Sequence, residues 1–267
     1  MLTPLGWPGF AQVTLLALVI LLLAAFAAGA VDAVVGGGGL VQLPALLLLL
    51  PGAPVLALAT NKLAAVVGTT AATATYARGT RVDWRAAGLM AVAAFAGSMT
   101  GAVFAGVLPA TALRVVVLVA VLGVGFYTLR VRDLGLLAST RLPWRTRLGV
   151  MVAGGALIGA YDGLAGPGTG SFLVFWLVGI AGYAFLPASA TAKLVNVATN
   201  LGALAYFVPA GYVVWGVGAS MAVANMAGAT LGARVAIRRG SVFVRRVFLA
   251  LSGVLAASLV IQLVTST

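Results

Sequence analysis

Long apolar runs dominate the chain, and they recur at a spacing close to the thickness of a bilayer. Apolar stretches cover residues 11–35, 39–51, 54–77, 85–107, 110–129, 146–165, 169–182, 187–208, 212–233 and 243–264. Most are long enough for a helical crossing, which takes about 20 residues. The alternation of a membrane β-barrel strand is absent, so the spans are read as helices. The pieces 39–51 and 169–182 are short. They leave two counts open: ten helical pieces, or eight full spans with the short pieces merged or re-entrant. Each short piece follows a break rich in glycine, GGGG at 36–39 and GPGTGS at 166–171. The fold class expected is an all-α polytopic membrane protein with broken helices.

Composition supports this reading. Of 267 residues, 63% are hydrophobic and only 7% charged, whereas a soluble domain carries about 25% charged residues. Cysteine and histidine are both absent. That removes thiolate and imidazole metal sites, thiol nucleophiles, haem attachment and serine–histidine chemistry. No enzyme, cofactor or metal is expected. The first ten residues lack the basic region of a secretory signal, so the first apolar run is read as a retained span.

The net charge of +12 matters through its placement. Thirteen of the fourteen arginines fall in three groups: Arg78, Arg81 and Arg85; Arg130, Arg132, Arg141, Arg145 and Arg147; Arg234, Arg238, Arg239, Arg245 and Arg246. The positive-inside rule makes these three loops cytoplasmic. An even number of crossings then places both termini outside.

The two halves of the chain repeat. Asp32 and Asp162 both precede glycines and stand 130 residues apart. ATNKL at 59–63 and ATAKL at 190–194, VDW at 82–84 and VVW at 213–215, and the Gly97, Gly101 and Gly228, Gly232 pairs all recur at 131. Equivalent loops carry opposite charge. Residues 78–85 hold three arginines and their counterpart 209–215 none, while 105–113 is neutral and its counterpart 236–244 is basic. The expectation is two inverted-topology repeats in one membrane domain, residues 1–135 and 136–267, with the site where broken helices meet.

Four aspartates are the only acids. Asp83 and Asp133 adjoin arginines and read as loop charges. Asp32, Asp162, Lys62 and Lys193 lie inside apolar segments, two in each half, and a charge within a span is a functional candidate by default. The glycine breaks leave the first N–H groups of the next helix open to a ligand, and those groups carry the positive end of the helix dipole. Gly36, Gly37, Gly38, Gly39, Gly166, Gly168 and Gly170 would therefore cradle an anion. Thr169 and Ser171 add hydroxyls, Lys62 and Lys193 positive charge, and Asn61, Asn196 and Asn200 neutral donors. Asp32 and Asp162 are the candidate proton carriers, since hydrocarbon disfavours the ionised carboxylate. Plainer roles stand beside these. Gly97, Gly101, Gly228 and Gly232 suit close helix packing. Lys62 could reach the interface along its stem, and either aspartate could cap the next turn or pair with a lysine. Trp84 and Trp215 suit interfacial anchoring. The breaks lack the Lys-Ser/Thr of a P-loop, which argues against a nucleotide; no nucleic-acid partner is expected.

The D-x-x-x-GGGG-L-x-x-x-P break, the A-x-x-TNK-L that follows it, and the degenerate second copy YDGLAGPGTGSF with A-x-AK-L-x-N resemble the sulfite exporter TauE/SafE family of membrane transporters. Asp32, Gly36 to Gly39, Asn61 and Lys62 fall on the first motif, and Asp162, Gly163, Gly166, Pro167, Gly168, Thr169, Gly170, Lys193 and Asn196 on the second. The resemblance runs from about residue 11 to 262. It implies a multi-pass permease of a prokaryotic inner or plasma membrane that moves sulfite, sulfonates or related organic anions, often outward. The expected partners are a small anion, the lipid bilayer and protons. An anion channel, a carboxylate-type permease, a non-transporting membrane partner and an intramembrane aspartate protease are the alternatives.

Overall fold

In a computed structural model of the chain, residues 9–10, 13–80, 82, 84–113, 115 and 143–265 are described. Helices are the only regular elements longer than an isolated bridge among them. The expected span at 110–129 lies largely outside the described residues, as do Asp83, Asp133, Arg81, Arg130, Arg132 and Arg141.

Helix α1, Leu15–Val35, starts where the Thr14 hydroxyl accepts the Ala17 N–H at 3.2 Å. It stops at Gly36, whose φ of +84° a side chain would resist and whose N–H closes on Asp32 O at 2.8 Å. After the first break comes the short α2, Gly39–Leu49. Helix α3, Pro54–Gly79, opens on a proline that fixes φ without sacrificing a needed N–H. Then come α4, Trp84–Val107, and, beyond the undescribed stretch, α5, Trp144–Leu164. The second break leads into the short α6, Thr169–Gly179, followed by α7, Phe185–Phe207. Helix α8 runs Trp215–Thr265, interrupted at Gly240 with φ +71° and ψ −173°. Helices α1, α3 and α4 are each long and apolar enough to cross a bilayer.

One boundary differs from expectation. The arginine-bearing stretch 234–246 is not a loop, because helix continues through it except at Gly240. Arginine is a good helix former, and a helix can run on past the hydrocarbon where its charges are wetted.

Two apolar clusters make up the core. One gathers Tyr76, Met90, Met151, Leu173 and Leu177; the other gathers Leu21, Leu43, Leu46, Leu58 and Phe207. The long helices pass from one to the other. Helices α1, α3 and α8 begin in the Leu21 cluster and reach the Tyr76 cluster, while α4, α5 and α7 run the opposite way. The short helices turn back: α2 returns to the Leu21 cluster that α1 left, and α6 to the Tyr76 cluster that α5 left.

Glycines set the closest approaches. Gly97 and Gly101 press on the backbone of Ala156 and Ala160, tying α4 to α5, and Gly228 and Gly232 press on Phe26 and Ala30, tying α8 to α1. A Cβ at any of the four would overlap a carbonyl, so small residues fix these contacts as expected.

Candidate functional site

The two breaks meet tip to tip. Gly36 and Gly170 approach so closely that a Cβ on either would strike the other's backbone. The Ser171 N–H donates to Gly36 O at 3.1 Å and its hydroxyl to Val35 O at 3.0 Å. From α7 the Ser189 hydroxyl donates to Val34 O at 3.2 Å, and from α3 the Tyr76 hydroxyl to Ala33 O at 2.9 Å. The carbonyls orphaned where α1 ends are thus satisfied by neighbours from both halves, as buried backbone groups must be.

All four intramembrane charges converge on this junction, and each lysine pairs with the aspartate of the other half. Lys62 Nζ lies 2.7 Å from Asp162 Oδ2, with side chains 1% and 2% exposed. Lys193 Nζ lies 2.8 Å from Asp32 Oδ2, at 0% and 15% exposed, and also donates to Asp32 O. Lys62 therefore does not reach outward to the interface; it is buried and paired. The pairing alternative holds for both aspartates, and the capping alternative for Asp32, whose Oδ1 accepts the Gly38 N–H at 3.3 Å. Asp162 Oδ1 instead lies 2.6 Å from the Thr169 hydroxyl, which is also 2.8 Å from Gly166 O.

A cavity of about 30 Å³ opens beside the breaks. At roughly 10–15 Å³ for each water, it holds two or three waters. Most of the expected site residues line it. The first half supplies Asp32, Gly36, Gly38, Gly39, Asn61 and Lys62. The second supplies Asp162, Gly166, Gly168, Thr169, Gly170, Asn196 and Asn200. Gly37, Ser171 and Lys193 do not line it. Ser171 spends its hydroxyl on α1, and Lys193 is enclosed behind Asp32.

The helix N-termini are less open than expected: the N-caps Gly38 and Gly168 add no side-chain cap, but Asp32 Oδ1 takes the Gly38 N–H, Gly37 O the Leu40 N–H and Gly36 O the Ser171 N–H. Their backbones differ, however. Gly168 has φ +75°, whereas Gly38 is right-handed helical at φ −59°. Gly38 is glycine for space: a Cβ there would stand 2.6 Å from Ala28 O and from Asp32 Cβ.

Sequence reasoning missed Gln42, Thr69 and Asn225, which also line the cavity. Asn225 Nδ2 donates to Gln42 Oε1 at 2.7 Å, leaving the buried Gln42 Nε2 without a protein partner, as Asn61 Oδ1 is. Buried polar atoms are rarely left alone, so these two suit a ligand or water. The signal existed: Gln42 is the sole amide of α2 and Asn225 of the apolar run 212–233, and polar groups within a span are functional candidates by the rule applied to the charges.

Trp84 and Trp215 are both about half exposed, at 53% and 55%. No group of three or more metal-ligating acids occurs among the described residues. The arrangement can therefore hold a small anion through Lys62, amides and helix N–H groups, or accept protons at carboxylates.

Comparison with known proteins places the chain among membrane transporters. The model of the sulfite exporter TauE/SafE family matches residues 21–259. The chain is 35% identical over 224 residues to the probable membrane transporter protein YfcA of Escherichia coli K12, covering 84% of this chain and 82% of the other. It is 34% identical over 227 residues to the probable membrane transporter protein ORF9 of Sinorhizobium sp, covering 84% and 85%. A probable membrane transporter protein of Haemophilus influenzae is 32% identical over 226 residues, covering 84% and 87%. No solved structure matches the chain.

Proposed function

The chain belongs to the sulfite exporter TauE/SafE family of membrane transporters, and from that premise we propose that it is a proton-coupled secondary transporter of one small anion. The substrate class is sulfite, a sulfonate or a related sulfur-containing organic anion, carried outward across a prokaryotic inner or plasma membrane. Residues 1–135 and 136–267 act as inverted-topology repeats that alternate access to the site between them.

The observation that carries this reading is the exchange of charge between halves: Lys62 with Asp162, and Lys193 with Asp32, around a polar cavity where both breaks end. Burying four ionised groups in a bilayer costs each several kcal/mol unless paired, roughly 2.5–3.5 by insertion scales. Such a cost is retained where charge is handled. The opposed directions of equivalent helices between the two core clusters support inversion of the repeats. The small size of the cavity favours a carrier with an enclosed site over a channel with a continuous pore.

Two experiments test this. Cysteines at Gly79 and Gly240 should be shielded from impermeant thiol reagents in intact cells, and one at Gly211 labelled. Labelling at both Gly79 and Gly211 would end the inverted arrangement. Purified protein in vesicles should show saturable uptake of at least one anion in a panel of sulfonates, sulfite and carboxylates. Large unitary currents would favour a channel instead.

A further inference from the structure

The two ion pairs are equivalent in sequence but not in access, and the difference bears on what crosses with the anion. Lys62 is the one lysine or arginine among the described residues that lines the cavity. Lys193 is 0% exposed, lies outside the lining, and is held by both the carboxylate and the main-chain oxygen of Asp32. An anion in the cavity can therefore contact Lys62 but not Lys193. Lys62 is already committed to Asp162 at 2.7 Å.

We propose that the anion displaces Asp162 from Lys62 and that Asp162 takes up a proton as it does so, making the protein an electroneutral carrier of one monoanion with one proton. This rests on the transport reading above and specifies its stoichiometry and charge class. The step balances. The paired Lys62 ammonium and Asp162 carboxylate, plus one monoanion and one proton, become an ammonium–anion pair beside a neutral carboxylic acid. The site is neutral before and after.

Among the described residues around it, nothing else compensates the released carboxylate. From α3 it faces Lys62, from α6 the uncharged Thr169 hydroxyl at 2.6 Å, and from its own helix Tyr161, whose hydroxyl donates to Pro167 O. Across the cavity on α1 stands Asp32, itself matched by Lys193 on α7, and the remaining lining amides are neutral. An unprotonated Asp162 beside a bound anion would leave one net negative charge in an enclosed site. A dianion would leave that charge even with the proton, so doubly charged oxyanions are rejected. Once protonated, Asp162 can accept from Thr169 and donate to the anion or a water.

The test uses vesicles containing wild-type protein, a trapped pH indicator, and an inward gradient of methanesulfonate, a sulfonate whose single charge does not change with pH, with sulfate as the dianion. Methanesulfonate should enter with lumenal acidification at one proton for each anion, at a rate that an imposed potassium–valinomycin potential changes by less than about twofold. Sulfate should enter at least tenfold more slowly. Asp162→Asn should abolish acidification. Asp162→Glu keeps a carboxyl that can take the proton, so any methanesulfonate entry it supports should still be accompanied by acidification. Methanesulfonate entry without protons, or at a rate that follows the potential, would overturn the inference while leaving the transport reading standing; equal entry of sulfate would do the same. If no anion of the wider panel enters, the transport reading fails and takes this inference with it. The wild-type measurements decide the matter even if neither variant folds.

Discussion

The Lys62–Asp162 and Lys193–Asp32 pairs occupy equivalent positions in the two halves, yet their surroundings give them different work. Asp32 is held on three sides: by Lys193, by the Gly38 N–H at 3.3 Å, and by its own carbonyl's contact with the same ammonium. Asp162 has Lys62 and a hydroxyl that can turn away. The difference traces to single residues. Where the second break carries Thr169, the first carries Gly39, and where Gly168 takes a left-handed turn, Gly38 stays helical. Both pairs join the two halves; on the proposed reading, these local differences leave Lys193–Asp32 a structural clasp and make Lys62–Asp162 the anion site. The amides sharpen the contrast, because Asn196 and Asn200 on α7 stand where α3 has Ala65 and Thr69.

The largest expected effect lies at the clasp. Lys193→Met leaves the Asp32 carboxylate without its counter-charge and should cost about 3–5 kcal/mol, as breaking buried pairs does. Thermal unfolding of detergent-purified protein would read this as poor recovery of folded material. Lys193→Met with Asp32→Asn removes both charges and should restore most of the stability. If the single and double variants are equally unstable, the pair is not a clasp.

Next come the glycines of the first break. Gly38→Ala forces a Cβ to within 2.6 Å of Ala28 O and Asp32 Cβ, whereas Gly39→Ala meets Pro167 Cα at 3.3 Å. Overpacking at the former should cost about 1–3 kcal/mol and the latter clearly less, both measurable by thermal unfolding. The same order is expected in binding, since both glycines line the cavity and the larger overlap distorts it more.

Smaller in stability but larger in selectivity is Lys62→Met. The freed Asp162 keeps the Thr169 hydroxyl at 2.6 Å and, by taking a proton, sheds the charge that Lys62 no longer balances. Affinity for a monoanion should fall tenfold or more, a loss of about 1.4 kcal/mol or greater. Gln42→Leu is the mildest. It removes the unpartnered Nε2 and leaves Asn225 Nδ2 without its acceptor, so a few-fold loss of affinity and about 1 kcal/mol of stability are expected.

Much of this molecule can be read before any coordinates. Helix breaks at GGGG and GPGTGS stand out because glycine interrupts an otherwise apolar helix, and paired charges stand out because hydrocarbon makes each one costly. The helix ends at Val35 and Leu164 fall within a residue of the expected positions. What could not be read was partnership and facing. Lys62 and Lys193 look alike in sequence, and which one borders the cavity depends on helix rotation and on neighbours contributed by other helices. The Gln42–Asn225 bond spans 183 residues, and such long separations leave no local trace. The reverse error occurred at 234–246, where a cluster of arginines suggested a loop although arginine sits comfortably in a helix.

The most direct test of this division of roles is calorimetric binding of methanesulfonate and its relatives to two double variants, each missing one whole pair and each neutral on balance. With Asp32→Asn plus Lys193→Met, binding should remain measurable, because Lys62 still faces the cavity. With Lys62→Met plus Asp162→Asn, binding should vanish while the protein stays folded. Equal loss of binding in the two, or its survival only in the variant lacking Lys62 and Asp162, would contradict the assignment of the anion site to Lys62.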